Sequence, residues 1–392
     1  MQERALSLWK ATLHSYSQIF FAKNHTMGLL VMLVSFMDLQ TGLGGLAGVV
    51  LANSMAGLLG FHRQSLEDGL LGINSLFVSM ALAANFEMNG QMVLILALGS
   101  TFAVLATVSV AAWLGKYNLP ALSLPFMLSI WTLFMAIRSL KAIESAGDDP
   151  FLINRLYGMG GKALVNLYGL VKENAIPEVV TTYLKSLGAI IFQGNIIAGA
   201  AIAIAILIRS RITFSISVIG YGTGYLFYSW MGGNVGEFHY QAIGFNFILT
   251  AIALGGFFFV PTSRTYLMLV VVTPLIGLAV GAANLFLKTW ELPTYSFPYA
   301  CMVILILHVS QSSFRREWFP LVVIQRYSAE RNLYSFLNYR NRFRNNAWFQ
   351  IALPFFGDWK VTQAYDGEHT HRGDYRHALD FTVCDAKGMS YA

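Results

Sequence analysis

Ten long apolar segments alternate with short polar breaks along the first 310 residues. Five fall in the first half of that stretch, at about 27–40, 43–61, 69–84, 91–114 and 121–139. Five more fall at about 196–210, 212–228, 241–258, 265–287 and 296–310. Several are shorter than the ~20 residues that a perpendicular helical span requires, which predicts tilted or discontinuous helices. A shorter apolar stretch precedes the first segment of each set, at residues 13–24 and 184–195. These pieces read as re-entrant helices, which a bilayer tolerates only where protein or an aqueous path surrounds them.

The two sets are copies of one unit. QIFFAKN at 18–24 returns as AIIFQGN at 189–195, GINSLFVSMAL at 72–82 as GFNFILTAIAL at 244–254, and LPALSLPF at 119–126 as LPTYSFPY at 292–299. The offsets are 171 for Asn24 to Asn195, 172 for Asn74 to Asn246 and 173 for Pro120 to Pro293. A drift of two residues over that length marks a duplication. An odd number of crossings per half starts the second half on the opposite side, so the pattern predicts inverted repeats with a working site between them. The predicted architecture is an all-α integral membrane protein, with two inverted repeats of five transmembrane helices and one re-entrant helix each, followed by a short C-terminal β-rich fragment. Its expected divisions are 1–160, 161–310, a basic-aromatic linker at 311–350 and a tail of turns and short strands at 351–392.

Composition supports the membrane reading. Apolar residues make up 56% of the chain and charged residues 12%, about half the usual charged share of a soluble domain. Only 27 of the charged residues lie in 1–310, whereas 19 crowd into 311–392. The net charge of +6 reflects basic loops, and no basic run interleaved with stacking aromatics suggests a nucleic-acid groove. Arg4, Lys10, Lys23, Arg63, Lys116, Arg209, Arg211 and Arg264 all fall on the side that carries both termini. Basic short loops face the cytoplasm, so both termini are expected there, in a multi-pass protein of a bacterial inner or plasma membrane. The two cysteines, one in an apolar segment and one in the tail, outline no disulfide framework. The spans hold almost no ionisable groups, and Asp38 lies near a span end. Coupled transporters place carboxylates or histidines at mid-membrane, so the pattern favours passive conduction of a neutral solute.

The duplicated strings resemble the urea transporter family over about residues 13–310. LPALSLPF and LPTYSFPY are similar to that family's paired Leu-Pro-x-x-Thr-x-Pro-Phe signature, GINSLF and GFNFIL to its Gly-(Tyr/Phe)-Asn-x-x-Leu segment, and QIFFAKN to its first re-entrant helix. The resemblance implies a homotrimer in the lipid bilayer, each protomer with its own pore for urea or a small amide, no cofactor and no enzymatic activity. It also implies pore positions. Gln18 and Phe21 would lie at the first mouth and Ile190 at the second, with Ile73, Phe77, Phe245 and Leu249 along the slot and Ser123 and Ser296 at its centre. The serines replace the family's threonines and keep the hydroxyl. Ile73 and Phe77 exchange bulk relative to the family pattern, and Ala189 stands where a polar residue is usual. A flat neutral amide would slide edge-on between apolar walls, with oxygens replacing its lost water, because an unpaired donor costs about 1–3 kcal/mol.

Each position also has a plain structural reading. An apolar side chain in a membrane helix can simply pack, the serines can bond a backbone carbonyl at a Pro-interrupted helix start, and Asn74 and Asn246 can brace the repeat interface. The sequon Asn24-His25-Thr26 is read as incidental.

In the tail, residues 311–350 carry seven arginines among Phe, Tyr and Trp, which suits a membrane surface. Residues 353–392 resemble the opening of a lysostaphin-type zinc peptidase, with His377 and Asp380 at the positions of two metal ligands. Such a site needs three protein ligands. The remaining ones would lie downstream, so the tail is expected to be an incomplete, inactive domain opening, with zinc relevant only to a complete domain. The alternative reading of the whole chain is a membrane-anchored cell-wall zinc peptidase.

Overall fold

The computed structural model describes residues 2–61, 63–140, 143, 161–162, 166, 177–233, 235, 243–312, 318–322, 328–342, 359–363, 380–384 and 390–391. The chain divides into two compact units, Met1–Leu337 and Asn338–Ala392.

The first unit is helical, and its elements come in matching order. From the N-terminus run α1 (Gln2–Gln18), α2 (His25–Ser35), α3 (Leu39–Leu58), the short α4 (Arg63–Glu67), α5 (Ile73–Asn85), α6 (Gly90–Gly115) and α7 (Leu124–Ile137). Then follow α8 (Glu178–Ala189), α9 (Ile196–Arg209), α10 (Arg211–Trp230), α11 (Ile243–Ile252) continued by a π-helix (Ala253–Phe258), α12 (Ser263–Lys288) and α13 (Phe297–Ser312). Each of the ten apolar segments contains a helix. The re-entrant stretches are the apolar ends of longer helices, because α1 begins at Gln2 and α8 at Glu178. Apolar runs mark only the part of a helix that is buried, and the polar leading turns of these two helices escaped that signal.

Lengths sort the helices into two kinds. α3, α6 and α12 are long and apolar enough to cross a membrane. In contrast α2, α5, α7 and α9 have 11, 13, 14 and 14 residues, or roughly 16–21 Å at 1.5 Å per residue. That is short of a hydrocarbon core of about 30 Å.

Helix starts repeat between the halves. Asn24 caps α2 by accepting from the Met27 amide at 2.9 Å, and Asn195 caps α9 by accepting from Ala198 at 2.8 Å. These bonds satisfy amides that a helix start leaves unpaired, so Asn24 has a structural task beyond its place in a sequon. Asn89 and Thr262 likewise cap α6 and α12. Left-handed non-glycine residues recur in register: Phe21 and Phe192 (φ 55° and 60°), Asn118 and Glu291 (53° and 51°), Leu122 and Tyr295 (49° and 33°). Such residues cost of order 1–3 kcal/mol each, so their shared placement reflects one backbone path used twice. The hairpin approach is also matched. A Cβ added at Gly28 would lie 2.0 Å from Leu13 O, and one at Gly199 would lie 1.7 Å from Leu184 O. Only glycine lets α1 meet α2, and α8 meet α9, this closely.

After α13 the chain returns to the helical unit. The Val260 amide donates to Pro320 O at 2.9 Å and the Val322 amide to Phe258 O at 2.8 Å, while Arg264 stacks over Trp318 at 5.1 Å. Next, α14 (Ala329–Arg342) carries Glu330 in its first turn, and the carboxylate accepts from Ser210 Oγ at 2.9 Å and from the Ile212 amide at 3.0 Å. Residues 318–322 and 328–330 thus form a strap against the ends of the π-helix and α9.

In the second unit, β1 (Trp359–Gln363), β2 (Asp380–Cys384) and β3 (Ser390–Tyr391) form an antiparallel sheet in that order. Trp359 faces Val383 and Val383 faces Tyr391, with an irregularity between Val361 and Gln363.

Candidate permeation site

The two Pro-flanked serines, 173 residues apart, meet. Ser296 Oγ donates to Ser123 Oγ at 2.8 Å, and both residues are buried. Ser123 stands at the N-cap position of α7, yet its side chain caps no amide of that helix. Its hydroxyl instead donates to Ser296 O at 3.5 Å. The plain reading, a bond to a backbone carbonyl at a Pro-interrupted helix start, is thus met at Ser123, with the carbonyl supplied by the other half.

The asparagines brace their own halves. Asn246 Nδ2 donates to Tyr295 O at 2.8 Å, and its Oδ1 accepts from the Tyr299 amide at 3.1 Å. This fork fixes the loop that presents Ser296. Asn74 Nδ2 donates to Thr107 Oγ1 at 3.1 Å, tying α5 to α6. These three bonds each stay within one half.

The apolar candidates share one packed region. Phe245, Leu249 and Ile190 are buried in the main core, and Ile73, Phe77 and Phe21 pack against it half-buried. Phe77 lies 5.4 Å from Phe126, which stacks at 5.8 Å on Tyr295, which in turn meets Phe192 edge-on at 5.4 Å. An aromatic file therefore runs from the tip of the second hairpin past Ser296 to α5. The Tyr295 hydroxyl accepts from Asn85 Nδ2 at 3.1 Å. Gln18 is half-buried and donates from Nε2 to Asp68 O at 3.1 Å, beside the ion pair of Lys23 with Asp68. At the tip of the first hairpin, Phe21 lies 4.9 Å from Phe257 and 6.2 Å from Phe258.

The family model for urea transporters matches residues 9–311. The chain belongs to the urea transporter family. Within the curated proteins it is similar to Urea transporter 1 of Rattus norvegicus, 24% identical over 334 residues, which cover 83% of each chain. The matched region contains all nine residues read as pore positions and stops short of the strap.

Three residues of this site are missing from the expected set. Phe192 was findable, because it stands 171 residues after Phe21 in the same duplicated string. Tyr295 had a weaker signal, as the aromatic neighbour of Ser296 where the first half has Leu122. Phe257 had none: its counterpart at an offset of 172 is Asn85. Of the two metal-ligand candidates, His377 lies outside the described residues and Asp380 opens β2. Among the described residues no group of three or more His, Cys, Asp and Glu side chains could hold a metal.

Proposed function

We propose that this urea transporter family member conducts urea, or a similarly small neutral amide, passively through a pore between two halves of inverted topology. The observation that carries this reading is the hydroxyl pair of Ser123 and Ser296, buried where the Pro-flanked loops of the halves meet. Urea has four N–H donors and one acceptor, and a passing molecule must recover hydrogen bonds it gave up on leaving water. The two hydroxyls can release each other and accept from it. Ile73, Phe77, Phe245 and Leu249 supply the flat apolar walls, with Gln18 and Phe21 at one mouth and Ile190 at the other. These walls offer no charged partner, and an ion would lose its hydration without replacement. The relative's name, Urea transporter 1, supports urea as the solute. Assembly as a homotrimer, with one pore in each protomer, completes the proposal.

The test is uptake by liposomes containing the purified protein, measured for urea, acetamide, formamide and water. Urea uptake well above protein-free vesicles supports the reading. Uptake equal to that of protein-free vesicles would sink it.

A further inference from the structure

The mouth at Phe21 is closed by a residue from outside the duplicated strings. A narrow cavity there is lined by Phe21, Phe257, Ile252, Thr213, Ser328 and Ala329. The rings of Phe21 and Phe257 stand 4.9 Å apart, tilted by 38°. A flat molecule between two rings needs two carbon contact distances of about 3.5 Å each. The pair therefore leaves no room for a solute to pass between its faces.

The backbone explains why the closure lies on this side. In the first half, the stretch from Ala81 through Asn85 completes the α-helix α5. The matching stretch, Ala253–Phe258, is a π-helix. The wider π turn re-aims the side chains that follow it, a device common at functional positions. Phe257 reaches Phe21 from this turn, and the strap grips the same turn from outside. The chain after it is bonded to Pro320 and Val322, and Ala329 Cβ would lie 3.9 Å from a Cβ added at Gly256. Ser328 and Ala329 line the cavity itself.

We infer that Phe257, seated on the π turn and held by the strap, is the residue that admits solute at the Phe21 mouth and sets the width of molecule that passes. The inference rests on the proposed urea conduction and adds to it a gate and a positioning element. Removing the ring leaves a gap beside Phe21 through which bulkier amides can enter. Releasing the strap loosens the turn that aims the ring.

The experiment is uptake of urea and of N,N′-dimethylurea by liposomes bearing wild type, Phe257→Ala, Phe257→Leu or Glu330→Gln. The expected result is a dimethylurea-to-urea ratio raised several-fold in Phe257→Ala, less in Phe257→Leu, and about two-fold in Glu330→Gln. If Phe257→Ala does not insert, the leucine variant decides, because it keeps apolar bulk in the turn. An unchanged ratio at position 257 overturns the gate, and an unchanged ratio in Glu330→Gln overturns the role of the strap. Wild-type vesicles that take up no urea overturn the conduction reading and the gate with it. Wild-type urea uptake with unaltered ratios overturns the gate alone.

Discussion

The tips of the two hairpins follow one backbone and end in different chemistry. Phe21 and Phe192 are both left-handed residues in matching strings. Phe192 meets Tyr295, whose hydroxyl is bonded by Asn85. Phe21 meets Phe257, the counterpart of Asn85, on a turn of a different helical type. One tip is thus edged by a hydroxyl and an amide, and the other by a closed pair of rings. Duplication preserved the path of the chain, including its costly left-handed turns, and left the contacts at the hairpin tips free to diverge. Under the proposed function, the shared features would set where a pore runs, and the divergent ones how each end of it opens.

The largest effect tests the part that both halves share. Ser123 and Ser296 hold equivalent places and meet at 2.8 Å. Replacing both with valine narrows the slot, removes both acceptors and is expected to lower urea uptake more than ten-fold with assembly intact. A folded, inserted double-valine protein that conducts at the wild-type rate would show that these hydroxyls are not the filter.

A second test separates the halves where they differ. Asn246 holds both Tyr295 O and the Tyr299 amide. Asn74 makes its bond to Thr107 with Nδ2, and its buried Oδ1 has no partner among the described residues. Asn246→Leu strands two buried backbone groups, each costing about 1–3 kcal/mol. Asn74→Leu strands only a hydroxyl that keeps its bond to Ala103 O, and it removes an acceptor that was already unmet. Thermal unfolding in detergent is expected to show a large loss for the first and about 1 kcal/mol or less for the second. Equal losses would mean that the two asparagines do the same work.

The smaller filter effects come from single substitutions. Ser123→Ala and Ser296→Ala should each forfeit a bond worth about 0.5–1.5 kcal/mol, a several-fold drop in uptake. Ser123→Thr keeps the hydroxyl and should hold the rate. A threonine variant as slow as the alanine variant would point to size rather than acceptance as the deciding property.

The sequence carried the apolar spans and the duplication clearly, because burial in lipid demands unbroken apolar runs and a copied backbone keeps its caps and turns. Asn24 with Asn195 and Ser123 with Ser296 were visible on that basis. The helix-start role of Asn24 was not, since a sequon and a cap use the same residue. The Phe21–Phe257 contact was hidden for a different reason. It depends on a local change of helical type at Ala253–Phe258, which no periodicity reports, and on a strap beyond the duplicated region. The strap's residues read as a basic-aromatic surface segment. Their described contacts are backbone pairing at Pro320 and Val322, Trp318 under Arg264 and one carboxylate at Glu330, none of which that composition reports.

That carboxylate marks a last difference between the halves. α3 starts at Asp38, whose own carboxylate takes the Thr41 hydroxyl. The matching position before α10 is Ser210, 172 residues later. Ser210 caps the Thr213 amide at 3.0 Å and donates its hydroxyl to Glu330. The negative charge at this helix start is therefore borrowed from the strap, where it also favours the positive end of the helix dipole. Burial pushes the Glu330 carboxyl up. The amides of Ile212 and of Glu330 itself, with the Ser210 and Ser328 hydroxyls, outweigh it and hold the carboxyl below its ordinary 4.5. A carboxylate depressed on folding adds stability that is present above its unfolded value and is lost as pH falls through its folded one. Glu330→Gln should thus cost about 1 kcal/mol near neutral pH, the size of a lost helix cap, and the gap to wild type should close as pH drops below 4.5. Unfolding temperatures of the two proteins at pH 7 and pH 3.5 check this. A gap that persists undiminished at pH 3.5 would show that the glutamate acts through its shape rather than its charge.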